Sequence, residues 1–249
     1  MSDLNPYTTP PPQPAAAPGR ITRALLGLIM RPARVAAVET LSPRFRLIDL
    51  EGDELKGVAW LPGQKVQVGI GAGFSRRTYT PLLWDADAGR TRLLVFLHGD
   101  GPGSQWAGSL RKGDACQFFG PRRSLDMSRG DEPVVLFGDE TSFALAMALQ
   151  GNFPVAELMF EVSDAKESRG VLTAIGLGRA IVVERRDGDA HLSAIGADLS
   201  RHVASGARFV LTGRAQSIQS VSQALKKSGM ASSSVKSKAY WSPGKSGLD

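Results

Sequence analysis

Cysteine is nearly missing from this sequence: its 249 residues contain one, Cys116. No intramolecular disulfide can form and no cysteine-built metal centre is available, which suits a reducing compartment. Cys116 sits in the apolar run DACQFFG and reads as a small buried hydrophobe rather than a nucleophile. No metal site is expected. Long apolar runs are missing too. The stretch ITRALLGLIM is far too short to span a bilayer. Ahead of it, MSDLNPYTTPPPQPAAAPGR has neither the charged start nor the apolar centre of a signal peptide. Its prolines predict a disordered arm over 1–20, followed by a short helix over 21–33 that docks on the body or touches a membrane surface. The expected location is the cytoplasm. A concentrated basic stripe is the third absence. Thirty Lys and Arg against 24 Asp and Glu give a net charge of +6, which favours an anionic partner. These cations are dispersed rather than interleaved with aromatics as on a nucleic-acid surface, so an anionic small molecule is equally compatible.

What is present has two rhythms. From Arg34 to about residue 130, short alternating runs such as QKVQVGIG, RRTYTPLLWD, TRLLVFLHG and DACQFFGP are broken by Gly, Pro and Asp. They predict an antiparallel β-barrel, with GSQWAGSLRKG as a helical interruption. From 131 to 249, PVVLFGD, VAELMFEVS, AIVVERRDG and ARFVLTGRA read as apolar strands. Helical segments alternate with them, ETSFALAMALQG first and SIQSVSQALKKSG last. That alternation predicts an α/β domain with a parallel sheet. The expected fold class is therefore two-domain, a barrel over 34–130 followed by a nucleotide-binding α/β domain over 131–249.

Two stretches of the barrel carry chemistry. FSRRTYTPLLWD reads as one strand in which Arg77 and Tyr79 face one way and Thr78 and Thr80 the other. A guanidinium can fork a pyrophosphate, an aromatic ring can stack on an isoalloxazine, and a hydroxyl can meet a flavin ring nitrogen. HGDGPGSQWAGSL places Gly99, Gly101 and Gly103 before a helix starting near Ser104. Such glycines let backbone approach a ligand, and helix N-terminal amides attract phosphate; the plainer reading is a hairpin turn with Ser104 as an ordinary N-cap. In the second half, Gly138 ends the first α/β strand, where dinucleotide folds bring a pyrophosphate to the next helix. Asp139 and Glu140 follow it at once and disfavour phosphate there. Arg185 and Arg186 end the third α/β strand, and alone read as a solvated turn. Near the C-terminus Lys226, Lys227, Lys236, Lys238 and Lys245 face a single acid, Asp249; such a run is commonly just solvated, and Tyr240 and Trp241 beside it read as packing or as a cover for a flavin face.

RRTYT, HGDGPGSQWA, GPRRSL and LFGDETSFALA occur in the order and rough spacing of the siderophore-interacting proteins, and the chain from about Arg34 to Gly244 resembles that family. Its members are FAD-dependent ferric-siderophore reductases of the ferredoxin–NADP reductase superfamily. The resemblance implies FAD as cofactor, NADPH or NADH as electron donor with ferredoxin as the alternative, and an anionic ferric siderophore as substrate. It implies that Arg77 binds the FAD pyrophosphate, that Tyr79 stacks on the flavin, and that Thr78 and Thr80 lie beside it. Gly101, Pro102, Gly103, Ser104, Trp106 and Ala107 would form the phosphate-binding helix start, with His98 in the same motif. Gly138, Asp139, Glu140 and Thr141 would line the donor crevice. Arg185 and Arg186 would hold an NADPH 2′-phosphate, and Lys236, Lys238 and Lys245 would attract the chelate. Three departures leave the donor open: SFALA where the family has a proline soon after GDET, Arg214 at an otherwise acidic position, and VVERR in place of W-x-H-R. A related flavin or ferredoxin-linked reductase and a non-catalytic flavin-binding protein remain as rival readings. A nucleic-acid binder is discounted because the aromatics fall in flavin-like motifs. No acid–base side chain is required, so none is assigned as catalytic.

Overall fold

Period-two burial builds the first half. Ala33 and Val35, Ile48 and Leu50, Val66 and Val68, Leu93 and Val95, Cys116 and Phe118 are pairs two residues apart, and all are buried in one cluster. Side chains two apart on a strand share a face, so each pair marks one strand of a closed apolar interior. The computed structural model describes residues 30–70, 75–125, 127 and 131–244. In it these strands are β1 (Arg31–Ser42), β2 (Phe45–Glu51), β3 (Lys65–Gly69), β4 (Arg76–Tyr79), β5 (Pro81–Asp85), β6 (Arg90–Phe96) and β7 (Ala115–Arg122). They form one antiparallel, barrel-like sheet in the order β4-β3-β7-β1-β2-β6-β5. Helix α1 (Pro102–Ser109) interrupts the strands between β6 and β7. The expected helix over 21–33 lies outside the described residues up to position 29, while Arg31–Ala33, its last turn, is strand and pairs with β7. The disordered arm over 1–20 lies outside them entirely.

The single strand expected over FSRRTYTPLLWD does not form. RRTYTPLLWD is two strands, β4 and β5, at opposite ends of the sheet order. Pro81 starts β5, a position where its missing N–H costs no ladder bond, and the chain leaves one sheet edge and joins the other at Thr80.

The second half is a parallel sheet of β8 (Val134–Gly138), β9 (Val155–Val162), β10 (Ile181–Glu184), β11 (Arg208–Arg214) and β12 (Val235–Trp241), in the order β10-β9-β8-β11-β12. Helices α2 (Phe143–Gln150), α3 (Ala165–Ala174), α4 (His191–Ser200) and α5 (Ala215–Lys227) connect them. Every residue of β8 is buried, as expected of a central strand covered on both faces. The order reverses between β8 and β11, the point at which open α/β sheets form a ligand crevice beyond the strand ends. Helix α3 and strand β12 have no counterpart in the sequence reading.

The two sheets share a core. On β2 and β6 the faces turned away from the barrel interior carry Phe45, Leu47 and Leu94, which join Val134, Leu136 and Phe143 in one buried cluster. The Phe45 and Phe143 rings stack with centroids 5.6 Å apart, and Phe143 meets Phe160 edge-on at 4.8 Å. A polar clasp flanks this contact. Glu167, at the start of α3, accepts hydrogen bonds from the Ser42 hydroxyl (2.7 Å), the Arg44 amide (2.9 Å) and Arg44 Nε (2.6 Å) in the β1–β2 turn. Burial pushes the Glu167 carboxyl up, but these donors outweigh it and hold the group below the usual carboxylate range.

Candidate flavin and nucleotide site

Between the sheets lies a cavity of about 260 Å³ whose walls come from both halves. From the barrel come Arg77, Thr78, Tyr79 and Thr80, with His98, Gly101, Gly103 and Ser104 from the loop and helix after β6; the α/β half supplies Thr141, Lys238, Tyr240 and Trp241. Among the described residues, Lys65, Arg76, Arg77 and Lys238 line it and no carboxylate does, so these cations offer an entering anion a favourable field.

Loop 98–104 closes on itself: the His98 amide donates to Ser104 Oγ (3.0 Å), and that hydroxyl donates back to the His98 carbonyl (3.1 Å). Ser104 is therefore a loop clasp and not the helix cap. Gly101 holds the N-cap position, Pro102 follows, and no side chain caps the helix, which leaves its first amides open to a ligand. Arg77 lies across this start, so close that a Cβ on Gly103 would sit 3.1 Å from its Cγ. Its Nη1 donates to the Arg76 carbonyl at 2.8 Å. A guanidinium and uncapped amides converge there on one spot suited to a diphosphate. The Tyr79 ring stands against Trp106 with centroids 6.1 Å apart, and burial pushes its phenol well above the usual range, so it stays neutral. These residues fit a flavin dinucleotide. Trp106 lines a different, open cavity, and Ala107 is buried in the barrel core. Pro102 does not line the cavity; it holds the first helical position.

The C-terminal strand reaches this cavity through a bulge. Gly213 pairs with Ala239 but Arg214 pairs with Trp241, so one extra residue on β12 turns both Tyr240 and Trp241 into the cavity. The Tyr240 phenol is hydrogen bonded to the Thr80 hydroxyl, and burial pushes it far above its ordinary range. Trp241 Nε1 donates to Asp139 Oδ2 at 2.7 Å. Lys236 is exposed two residues further out on the strand; Lys245 lies outside the described residues.

The crevice at the switch point is occupied by the chain itself. Asp139, fully buried, accepts from the Thr141 amide (2.9 Å) and hydroxyl (2.5 Å) on Oδ1 and caps the turn that starts α2. Burial pushes its carboxyl up to about 6, with the Glu140 charge adding to the rise while the Thr141 and Trp241 hydrogen bonds and Arg185 oppose it. Gly213 adopts φ +98°, where a side chain is strained, and a Cβ there would overlap the Asp139 carboxylate. A Cβ on Gly138 would overlap Ser142. Glu140 accepts from the Ser163 amide (2.6 Å) and hydroxyl (2.7 Å) and from both terminal nitrogens of Arg185, at 3.3 and 2.5 Å. Arg185 also lies 3.7 Å from Glu161. Glu161, buried at the end of β9, accepts from Ser217 (2.6 Å) and His191 Nε2 (2.7 Å), and Arg214 Nε lies 3.4 Å away. His191 Nδ1 accepts the Arg186 amide at 3.2 Å, which leaves the proton on Nε2. Arg214 also pairs with Asp189. The Arg186 side chain is exposed. Sequence reasoning missed Glu161 and His191; the available signal was a carboxylate in the otherwise apolar run LMFEV. Among the described residues, no group of His, Cys, Asp or Glu could hold a metal ion, and no helix is long and apolar enough to cross a membrane.

Residues 72–125 match the family model described as the siderophore-interacting FAD-binding domain, which bears out both the resemblance and the FAD assignment. No curated protein matches. Among solved structures, a siderophore utilization protein from T. fusca is 22% identical, with a TM-score of 0.66 over 88% of this chain and 95% of that one. The siderophore-interacting protein SipS from Aeromonas hydrophila is 18% identical, with a TM-score of 0.68 over 87% and 93%. Phthalate dioxygenase reductase, whose structure is described as a modular one for electron transfer from pyridine nucleotides to [2Fe-2S], is 14% identical, with a TM-score of 0.72 over 88% and 71%. The two-domain barrel-plus-α/β architecture is the one expected.

Proposed function

With residues 72–125 matched to a siderophore-interacting FAD-binding domain, we propose that the chain reduces an anionic ferric siderophore with electrons from a nicotinamide dinucleotide. The observation that carries this reading is the cavity: a diphosphate seat at Arg77 and the uncapped α1 start, an aromatic at Tyr79, a hydroxyl at Thr80, and four cations with no carboxylate among the described lining residues. FAD, when bound, supplies the conversion of a two-electron donor into single electrons for iron. One nicotinamide oxidised reduces two ferric ions and releases one proton. Ferrous iron is held far more weakly by the oxygen ligands of such chelates, so reduction frees it.

The chain's own residues bind and orient. Arg77 and the α1 amides fix the diphosphate, and Tyr79, backed by Trp106, limits how far the ring system can shift. Tyr240 and Trp241, pinned to Thr80 and Asp139, screen the cavity from the crevice side and exclude water. Lys65, Arg76 and Lys238 at the walls, with Lys236 outside them, draw the chelate in. No side chain has to exchange a proton, in keeping with the neutral phenols. The test is donor oxidation by the purified protein with and without a ferric siderophore, alongside trapping of ferrous iron by a coloured chelator. Oxidation unaffected by the chelate, with no ferrous iron trapped, would remove the siderophore from the reading. Turnover sustained only by reduced ferredoxin would replace the donor and keep the acceptor.

A further inference from the structure

Arg185 follows β10, the strand end to which the family resemblance assigns an NADPH 2′-phosphate, yet its guanidinium points inward. Both terminal nitrogens are held by Glu140, which is 3% exposed and is itself fixed by the Ser163 amide and hydroxyl. Its third nitrogen faces Glu161 at 3.7 Å, and its charge lies 5.9 Å over the Trp241 ring. A bidentate pair with a buried carboxylate is among the strongest contacts a guanidinium makes. Turning it outward would leave Glu140 as a buried acid without its cationic partner. At the surface of the same turn, Glu184, Arg186 and Asp187 are exposed in alternating sign, so among the described residues of this turn the arginine left for a dianion is bracketed by carboxylates. Arg214, the other cation of this region, is committed to Asp189, Ser217 and Glu161.

We infer that the chain selects the unphosphorylated dinucleotide, NADH, over NADPH, and that Arg185 is a positioning residue that fixes Glu140 instead of reading the 2′-phosphate. The inference rests on the nicotinamide-donor reading above. A 2′-phosphate would bring two negative charges against Glu184 and Asp187 with Arg186 as its single cationic partner among the described residues of the turn, whereas a ribose diol needs only an acceptor, which either carboxylate supplies.

The experiment uses the FAD-loaded protein with ferricyanide as acceptor, so the donor preference is read independently of any siderophore. Expected is a kcat/KM for NADH about tenfold or more above that for NADPH, the size of one missing charge-assisted contact. Calorimetry adds a readout free of turnover: ADP-ribose binds, and its 2′-phosphorylated form binds more weakly. Arg185→Ala is expected to lower both donors equally and to lower thermal stability. The double variant Glu140→Gln/Arg185→Met, which removes the buried charge together with its partner, recovers stability without changing the donor ratio. A preference for NADPH, a selective loss of NADPH activity in Arg185→Ala, or failure of both ADP-ribose forms to bind would each overturn the inference. Preference for NADH with no reduction of any ferric siderophore would leave it standing while removing the proposed acceptor.

Discussion

At the scale of single residues, Arg77 and Asp139 carry opposite charges for different ends. Arg77 lines the cavity between the sheets. Replacing it with alanine removes one charge-assisted contact worth about 1.5–3 kcal/mol, so FAD affinity should fall roughly ten- to a hundredfold. Equilibrium dialysis of the variant reads this, and unchanged affinity would remove Arg77 from the seat. Asp139 is aimed at the protein itself. Its carboxyl titrates near 6 when folded against about 3.9 when unfolded, so the folded state holds the proton more tightly between those values. Its contribution to stability is thus fully present below about pH 4 and is lost as pH rises through 6. Asp139→Asn should flatten that part of the pH profile, measured as urea midpoints from pH 4 to 8. The variant should also lose stability at every pH, because an amide turns a donor towards either Thr141 or Trp241. A profile as steep as the parent's would assign the slope to another group.

At the scale of elements, how much the sequence disclosed depended on whether burial followed a single period. The barrel strands were legible because Val66 with Val68 and Ile48 with Leu50 alternate cleanly, and β8 because all five of its residues are buried and apolar save the terminal glycine. The break at Thr80 was not legible, since RRTY and PLLWD both look like strand and only Pro81 hints at the change of edge. Helix α3 escaped because AKESRGVLTA buries just Ser168, Val171 and Leu172 and carries a glycine. Strand β12 escaped because VKSKAYW alternates lysine with small residues, and its bulge, which brings Trp241 beside Asp139, depends on a pairing that no local pattern records. That Arg77, Tyr79 and Gly103 come together at one cavity was readable from motif spacing. The Glu161–His191–Arg214 cluster was not, since its members lie on three separate elements. The shared core gives this scale its own prediction. Phe143→Ala in α2 should cost about 3–5 kcal/mol and move the whole urea transition as one step, because Phe45 of the barrel and Phe160 of the sheet both pack on that ring. Two separated transitions, one for each half, would show that the halves fold independently.

For the whole molecule, the excess of positive charge matters where it is not balanced locally. The net charge is +6, yet around the crevice arginines and carboxylates largely cancel in pairs, whereas the described lining of the cavity between the sheets includes four cations and no carboxylate. An anionic chelate should therefore be steered to the cavity and not to the crevice. Replacing Lys236 and Lys238 with glutamine should raise the apparent KM for an anionic ferric siderophore several-fold at low salt. The difference should fade as ionic strength shortens the screening length below about 8–10 Å. Donor-dependent reduction of the protein-bound flavin should hardly change. Parallel salt series on parent and variant decide this, and identical slopes would make these lysines ordinary solvated surface.

The hydrogen bond from Trp241 to Asp139 also makes the molecule its own optical reporter. Of four tryptophans, Trp241 lines the cavity and is held at a fixed orientation there. Light absorbed by that indole should pass to a flavin lodged beside it, so its emission should be dark in the loaded protein and return as cofactor is stripped. A Trp241→Phe variant should lose most of that recovered emission, leaving a smaller rise from Trp106 beside Tyr79. Release and rebinding of the cofactor could then be timed in the unlabelled chain, and a recovery of equal size in parent and variant would mean that Trp241 does not face the flavin.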